Sequence, residues 1–374
     1  MSEKIARTNI LIVGAGLVGL SAALALKNEG FSVRVLEHHL PEASTRPLSL
    51  SFGSYRILQS LGVWAALENS ASPILSVHVS EQGKLGFTKF SAENEELAAL
   101  GYVVPFSELQ KVLYQKVNDV TSITHIDSLI CTKNGVTVKT NLHEFHADLL
   151  IAADGTHSTC RDFLKIPADE TESGDIAEIY QLTLSESHTN TAYERFTKEG
   201  TLALLPLIEK NQAQLVWTKK KSSETCDFLS RFQEIFAGRV AIASAKKVAE
   251  FPLKTTIANE QISQSAVLIG NAAHTIYPVA AQGFNLGLHD VSILTSTLSN
   301  AKKNNHFIGD LSVLKRYEEA ALIHQKKIFT ITDQLSTIFD FPGLGCARGL
   351  GLLAMEVFSP LKNRLAKRLM GMTR

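Results

Sequence analysis

Cysteine is scarce in this 374-residue chain: Cys131, Cys160, Cys226 and Cys346 lie far apart, with no C-x-x-C pair. That argues against a disulfide framework or a cysteine zinc site and fits a reducing compartment. Net charge is absent too, because 37 basic residues balance 37 acidic ones, so nothing advertises a nucleic-acid partner. There is no low-complexity tract and no internal repeat. One apolar run, Ile10 to Leu26, approaches the ~18 residues that a spanning helix needs, and no other does. With 45% hydrophobic residues the chain is long enough for two domains and a sizeable core. A soluble cytoplasmic protein without a metal site is the expectation.

The exceptional run reads ILIVGAGLVGLSAALAL and follows a short, net-basic N-terminus; its Ala23-Leu24-Ala25 triplet resembles an export cleavage site. Against export, glycines at 14, 16 and 19 spell G-x-G-x-x-G, and KNEGFSVRVLE then turns and alternates like a second strand. Each glycine has a physical reason. Gly14 allows the tight turn from strand to helix. Gly16 lets a pyrophosphate approach the backbone at the helix start, where free amides and the macrodipole favour negative charge. Gly19 lets helix and sheet pack closely. Glu37 closes the second strand about where an acid accepts hydrogen bonds from an adenosine ribose. Strand, helix, second strand and acid in this order define a dinucleotide grip.

A first βαβ unit therefore runs to about His38, followed by a polar loop, HLPEASTRPLSLS, and a helical segment, YRILQSLGVWAALE. SELQKVLYQKV carries Leu109, Val112, Leu113 and Val117 at helical spacing. GVTVKT and FHADLLIAAD read as strands, the second apolar enough for a buried parallel one. From about Ile166 to Phe251 alternating strands such as TLALLPL and AQLVWTK suggest an inserted sheet, and after about Asp310 the pattern is helical. The expected architecture is α/β. A discontinuous Rossmann-like nucleotide domain (1–72, 105–165, 262–320) accepts a mainly antiparallel substrate domain (73–104, 166–261), before a helical C-terminal segment (321–374).

Two further motifs follow strands. ADGTHSTCR gives D-G-x-x-S-x-x-R at Asp154, Gly155, Ser158 and Arg161; by itself it is a capped helix after a strand, with an arginine able to hold an anion. GNAAHTIYPVAAQGFNLGLHD supplies small residues from Gly270 and Asn271, a rigid Pro278, and a helix opening at Gly283 and Asn285. Alone, it is a glycine-rich loop.

In this order and spacing the three motifs resemble the FAD-dependent aromatic hydroxylases, the group A flavoprotein monooxygenases, whose FAD domain has the glutathione-reductase-like fold. The resemblance implies FAD at the glycine fingerprint and a D-G motif serving both FAD and NAD(P)H. It also implies that the third motif holds the ribityl chain and ring edge. Arg46, in STRPLSLS, matches a family arginine approaching the cofactor, and equally suits a solvated loop; Gln110 matches a flavin-contacting position. YERFTKEGTLALLPL, the third motif and TDQLSTIF…RGLGLLAMEVFSPLKNRLAKRLMG look like the ubiquinone-biosynthesis branch. Within it, Asn271 in place of an aspartate, and the tail around Met355 and Glu356, look most like hydroxylases of 2-octaprenyl-6-methoxyphenol. Ala281 departs from a glycine usual in that loop, and no W-x-W-x-I-P halogenase signature surrounds Trp217.

The implied activity is hydroxylation of a 2-polyprenyl-6-methoxyphenol ring with NAD(P)H and O2, through a C4a-hydroperoxyflavin. The helix start at Gly283 to Asn285 would steady the negative charge of reduced flavin. No residue declares itself as acid or base, and His274, beside small residues after a strand, reads as a positioned structural group. In SPLKNRLAKRLMG, Leu361, Leu365 and Leu369 recur every four residues, with Lys362, Arg364, Lys367 and Arg368 on other faces. That helix suits an anionic membrane surface, a partner in a ubiquinone-biosynthesis assembly, or simple packing on its own domain. Hydroxylation at another ring position or on another phenol, a flavin oxidoreductase that transfers no oxygen, and a non-enzymatic scaffold are the alternatives.

Overall fold

The charge-free run divides at its glycines into a strand, Ala6–Val13 (β1), and a helix, Leu17–Asn28 (α1), both internal to the fold. The computed structural model describes residues 6–39, 46–84, 86–221, 228–236, 238–276, 282–340 and 370–371. Along β1, Ile10 and Ile12 join one core while Leu11 and Val13 join the other. Burial on both faces accounts for the missing polar alternation. In α1, Leu17 and every residue from Gly19 to Leu26 is buried.

β1 is a central strand of a parallel sheet. Val33–Glu37 (β2) lies on one side and Glu144–Ala152 on the other, in the order Ala266–Leu268, Glu144–Ala152, β1, β2, Thr121–Ile123. Helices α1, Phe106–Val117 and Gln282–Lys303 share one core on one face, through residues such as Leu20, Leu109, Leu113, Leu288 and Val291. The other face is covered by a β-hairpin, Ile126–Thr132 and Gly135–Thr140. It pairs antiparallel with the start of Glu144–Ala152 and buries Leu129, Val136 and Val138 against Leu11 and Val13. Strand order reverses between β1 and Glu144–Ala152, and ligands of such sheets bind outside the carboxyl ends at that point.

The second sheet has eight strands, antiparallel at every step except Thr191–Phe196 beside Ser76–Glu81. Its long members, Ala168–Leu184 and Ile242–Ala258, pair over most of their length. One face packs Leu182, Leu202, Leu204, Leu215 and Trp217 against Phe232, Ile235 and Phe236 of helix Phe228–Phe236. At one edge this sheet takes in His274–Thr275, which pair with Ile257 and Thr256. The third motif is thus physically the seam between the two sheets.

Part of the expected polar loop is instead a strand. Pro47–Ser51 pairs antiparallel with Gly101–Pro105, which also pairs with Ser72–Ile74 in a three-stranded sheet. Its Leu-Ser-Leu-Ser alternation is the period of a half-buried strand, with Leu50 fully inside. Among the described residues no helix is long and apolar enough to cross a membrane.

Candidate cofactor-binding site

The motif residues collect at the carboxyl ends of adjacent parallel strands: Gly14 after β1, Glu37 ending β2, Asp154 after Glu144–Ala152, and Gly270 after Ala266–Leu268. Gly14 has φ +106°, and a Cβ there would overlap the Ala153 carbonyl oxygen, so the turn demands glycine twice over. A Cβ at Gly19 would overlap the Gly14 carbonyl oxygen, which places the helix start hard against that turn. Glu37 ties the turn to β2: its carboxylate accepts the Ala15 amide at 2.6 Å and the His38 amide at 2.7 Å.

The D-G motif forms a self-contained cap. Asp154 accepts the Ser158 hydroxyl at 2.6 Å and the Cys160 amide at 2.9 Å, while Ser158 accepts the Arg161 amide at 3.0 Å. Arg161 is buried. Its guanidinium donates to the Thr156 carbonyl (3.0 Å) and the Ala272 carbonyl (3.1 Å), lacing this loop to the third motif. The Thr156 and Thr275 hydroxyls meet at 2.9 Å across the same junction. Burial, helped by the neighbouring Asp154, pushes the Cys160 thiol well above its usual range, so it stays protonated.

In the third motif Gly270 turns the chain at φ +58°. Asn271 is exposed within the single turn Gly270–Ala272. Asn285 is buried and spans to the small sheet, accepting the Ser51 amide at 2.9 Å and donating to the Ser49 carbonyl at 3.0 Å. Arg46 and Gln110 flank Phe106: the Arg46 guanidinium lies 6.0 Å from that ring, the Arg46 carbonyl accepts the Phe106 amide, and Gln110 follows one turn along the helix. Pro278, Ala281 and the basic tail Leu361 to Leu369 lie outside the described residues.

Two glycines stand apart from the rest. Gly16 and Gly283 have no left-handed φ, and a Cβ at either would meet no atom of the described residues within 4 Å. Neither backbone conformation nor packing calls for glycine at these positions. Each sits at a helix start, and α1 has no side-chain cap and no acidic residue in its first turn. Bare helix starts with room in front of them are anion cradles. Gly155 is open in the same sense, although its φ of +88° already favours glycine. The residues present therefore fit a dinucleotide diphosphate.

Sequence reading missed a buried polar cluster behind this surface. His274 and Asp290, 0% and 1% exposed, meet at 2.6 Å. Next to them the His289 and His324 rings stack at 4.2 Å. Burial, reinforced by His324, pushes His289 down to about 4 from its ordinary 6.5, with Asp290 opposing. The folded state thus resists a proton that the unfolded chain accepts, so stability falls as pH drops from 6.5 toward 4. Urea unfolding should show about 2 kcal/mol less stability at about pH 5 than at about pH 7.5 from this group. His289→Leu should flatten that dependence by the same amount, and an unchanged pH profile would contradict the assignment.

The fold and these loops define an FAD-binding flavoprotein of the monooxygenase class. The chain belongs to the FAD binding domain family, which it matches over residues 7–332. Ubiquinone hydroxylase UbiL of Rhodospirillum rubrum is 28% identical over 399 residues, covering 99% of this chain and 90% of the relative. The 3-demethoxyubiquinol 3-hydroxylase of Escherichia coli is 28% identical over 394 residues, covering 98% of this chain and 99% of the relative. In structure, Klebsiella pneumoniae HpxO complexed with FAD matches with a TM-score of 0.77 at 19% identity, covering 97% of this chain and 99% of that one.

Proposed function

We propose that this protein hydroxylates the aromatic ring of a polyprenyl phenol, a 2-polyprenyl-6-methoxyphenol, in ubiquinone biosynthesis, using NAD(P)H and O2. The observation that carries the cofactor half is the pair of open glycines, Gly16 and Gly283, each at a helix start, with no side-chain cap on α1. Gly14, Gly16 and α1 hold the pyrophosphate, and Glu37, already fixed by backbone amides, offers its remaining lone pairs to the ribose. Asp154, Gly155 and Arg161 shape the wall beside it, with Arg161 locking the two loops together. Gly270 and Asn271 would run along the ribityl chain, while Arg46 and Gln110 would approach from beside the small sheet and from the Phe106–Val117 helix. FAD, when bound, carries electrons from NAD(P)H to O2. Gly283, at a helix start, would lie beside the ring's pyrimidine edge, where the helix's partial positive charge would favour negative charge.

The phenol ring fits the second sheet on the face away from helix Phe228–Phe236. Ile179, Val216, Ala203, Glu194 and Val79 stand opposite one another across neighbouring strands there, all half-buried except the buried Ile179. Neighbours on that face, Val77 and Leu205, pack on Ile74 and Val103 of the small sheet, which Asn285 grips. The small and aliphatic side chains around Glu194 suit an apolar ring and exclude water, and Glu194 is the one ionisable group among the five. The basic tail is the candidate for peripheral contact with the inner face of the membrane, where such a substrate resides.

The Escherichia coli relative, by its name, acts at position 3 of 3-demethoxyubiquinol, and it is as similar to this chain as UbiL is. Another ring position is therefore the second reading. Mass spectrometry of quinone lipids from aerobic cells lacking the gene separates the two. A 2-polyprenyl-6-methoxyphenol should accumulate with ubiquinone lost. Accumulation of a later demethoxy intermediate would move the reaction to position 3, and an unchanged profile would remove the pathway assignment.

A further inference from the structure

We propose that Asp290 is a positioning residue for FAD, setting the course of the Gly270–Thr275 loop from behind; this rests on the reading that the ribityl chain lies along that loop. Asp290 lies within helix Gln282–Lys303 and is 1% exposed. Its Oδ2 accepts the Gly270 amide at 3.0 Å and faces His274 Nε2 at 2.6 Å; its Oδ1 accepts the Gln325 side-chain amide at 3.0 Å. Both oxygens accept from amides, and Oδ2 is shared between the Gly270 amide and the His274 ring.

The three donors come from separate parts of the fold. Gly270 belongs to the loop after a parallel strand, His274 to the edge strand of the second sheet, and Gln325 to helix Leu311–Asp340. Gln325 is fixed in turn by a reciprocal amide pair with Gln261, at 2.5 and 3.1 Å. One carboxylate therefore joins the flavin loop to both sheets and two helices.

Burying a carboxyl group is costly before its hydrogen bonds are counted, and such groups are poor sources of net stability. What this one supplies is a fixed direction. The Gly270 amide points inward to Asp290, and a Cβ at Gly270 would press on the Val18 side chain of α1 at 3.1 Å. The inner side of the turn is thus held at two points, and Asn271 faces outward from it. His274 does the same at the far end of the loop, its ring 0% exposed and its backbone in register with Ile257.

The test is Asp290→Asn in the full chain, which keeps the shape and replaces one acceptor oxygen with a donor. FAD affinity is read by fluorescence titration, together with the visible spectrum and midpoint potential of the bound flavin. Tyr317→Phe is the control, since the Tyr317 hydroxyl is buried nearby with no hydrogen-bond partner among the described residues. We expect about tenfold or greater loss of FAD affinity in Asp290→Asn, with a shifted flavin potential, and neither change in Tyr317→Phe. If Asp290→Asn does not fold, His274→Leu, which removes the other end of the contact, is read the same way. Lower thermal stability with affinity, spectrum and potential all unchanged would overturn the proposal. Failure of the underlying reading looks different: the wild-type chain would bind no FAD, or Gly16→Glu would bind it normally.

Discussion

Gly16→Glu yields a folded protein that does not retain flavin. A Cβ at this position meets no atom of the described residues within 4 Å, so the substitution should leave the apoprotein's packing intact. Its carboxylate enters the space in front of the α1 amides, where the pyrophosphate would lie. Two like charges about 4 Å apart at an effective dielectric of ~20 repel by about 4 kcal/mol, or roughly a thousandfold in affinity. The purified variant should be colourless, with thermal unfolding close to that of wild-type apoprotein. Yellow protein with normal FAD content would refute the cradle.

Gly19→Ala produces the opposite pattern, a loss of folding rather than of binding alone. One methyl group would overlap the Gly14 carbonyl oxygen and crowd the Ala153 side chain at 3.3 Å. Relief requires moving α1, which is buried along most of its length, away from the turn. Overpacking of a closed core costs about 3 kcal/mol, and here the obstacle is backbone, which cannot rotate aside. The urea midpoint should fall accordingly, and the soluble fraction at growth temperature should drop. A midpoint equal to wild type would show that helix and turn are not in contact. The two variants together separate a glycine needed for space to pack from one needed for space to bind.

That division was partly legible in the sequence. The strand-helix-strand opening declared itself because glycine spacing, apolar runs and Glu37 all constrain one another locally. The antiparallel sheet was visible from period-two alternation between Ile166 and Phe251. Strand Pro47–Ser51 was hidden by its serines: its inward face rests on Leu48 and Leu50 alone, and its backbone is gripped by Asn285, more than two hundred residues away. The sequence offers Arg161 as an anion holder; in the fold its guanidinium also fastens two adjoining loops through their carbonyls, partners that only the tertiary structure brings to it. Of the Asp290 cluster, the third motif held His274 and Asp290, but nothing local linked them to each other or to Gln261 and Gln325. Gln261, His274, Asp290 and Gln325 occupy four elements, and only the fold makes them neighbours.

The architecture also explains how one seam serves two partners. His274–Thr275 is at once the edge of the antiparallel sheet and the continuation of the loop after Ala266–Leu268. A displacement of that seam would move cofactor wall and substrate sheet together. On the proposed function, fixing it with a buried carboxylate would keep ring and flavin in register, which oxygen transfer over a short distance requires.

The central claim is transfer of one atom of O2 to a phenol ring at this flavin site. Its most direct test supplies purified holoprotein with NADPH, 18O2 and a short-chain 2-prenyl-6-methoxyphenol, followed by mass spectrometry of the product. One 18O atom should appear in a new ring hydroxyl, with none from labelled water and no product from Gly16→Glu. NADPH oxidation that yields only hydrogen peroxide or an unlabelled reduced product, with the ring unchanged, would contradict it.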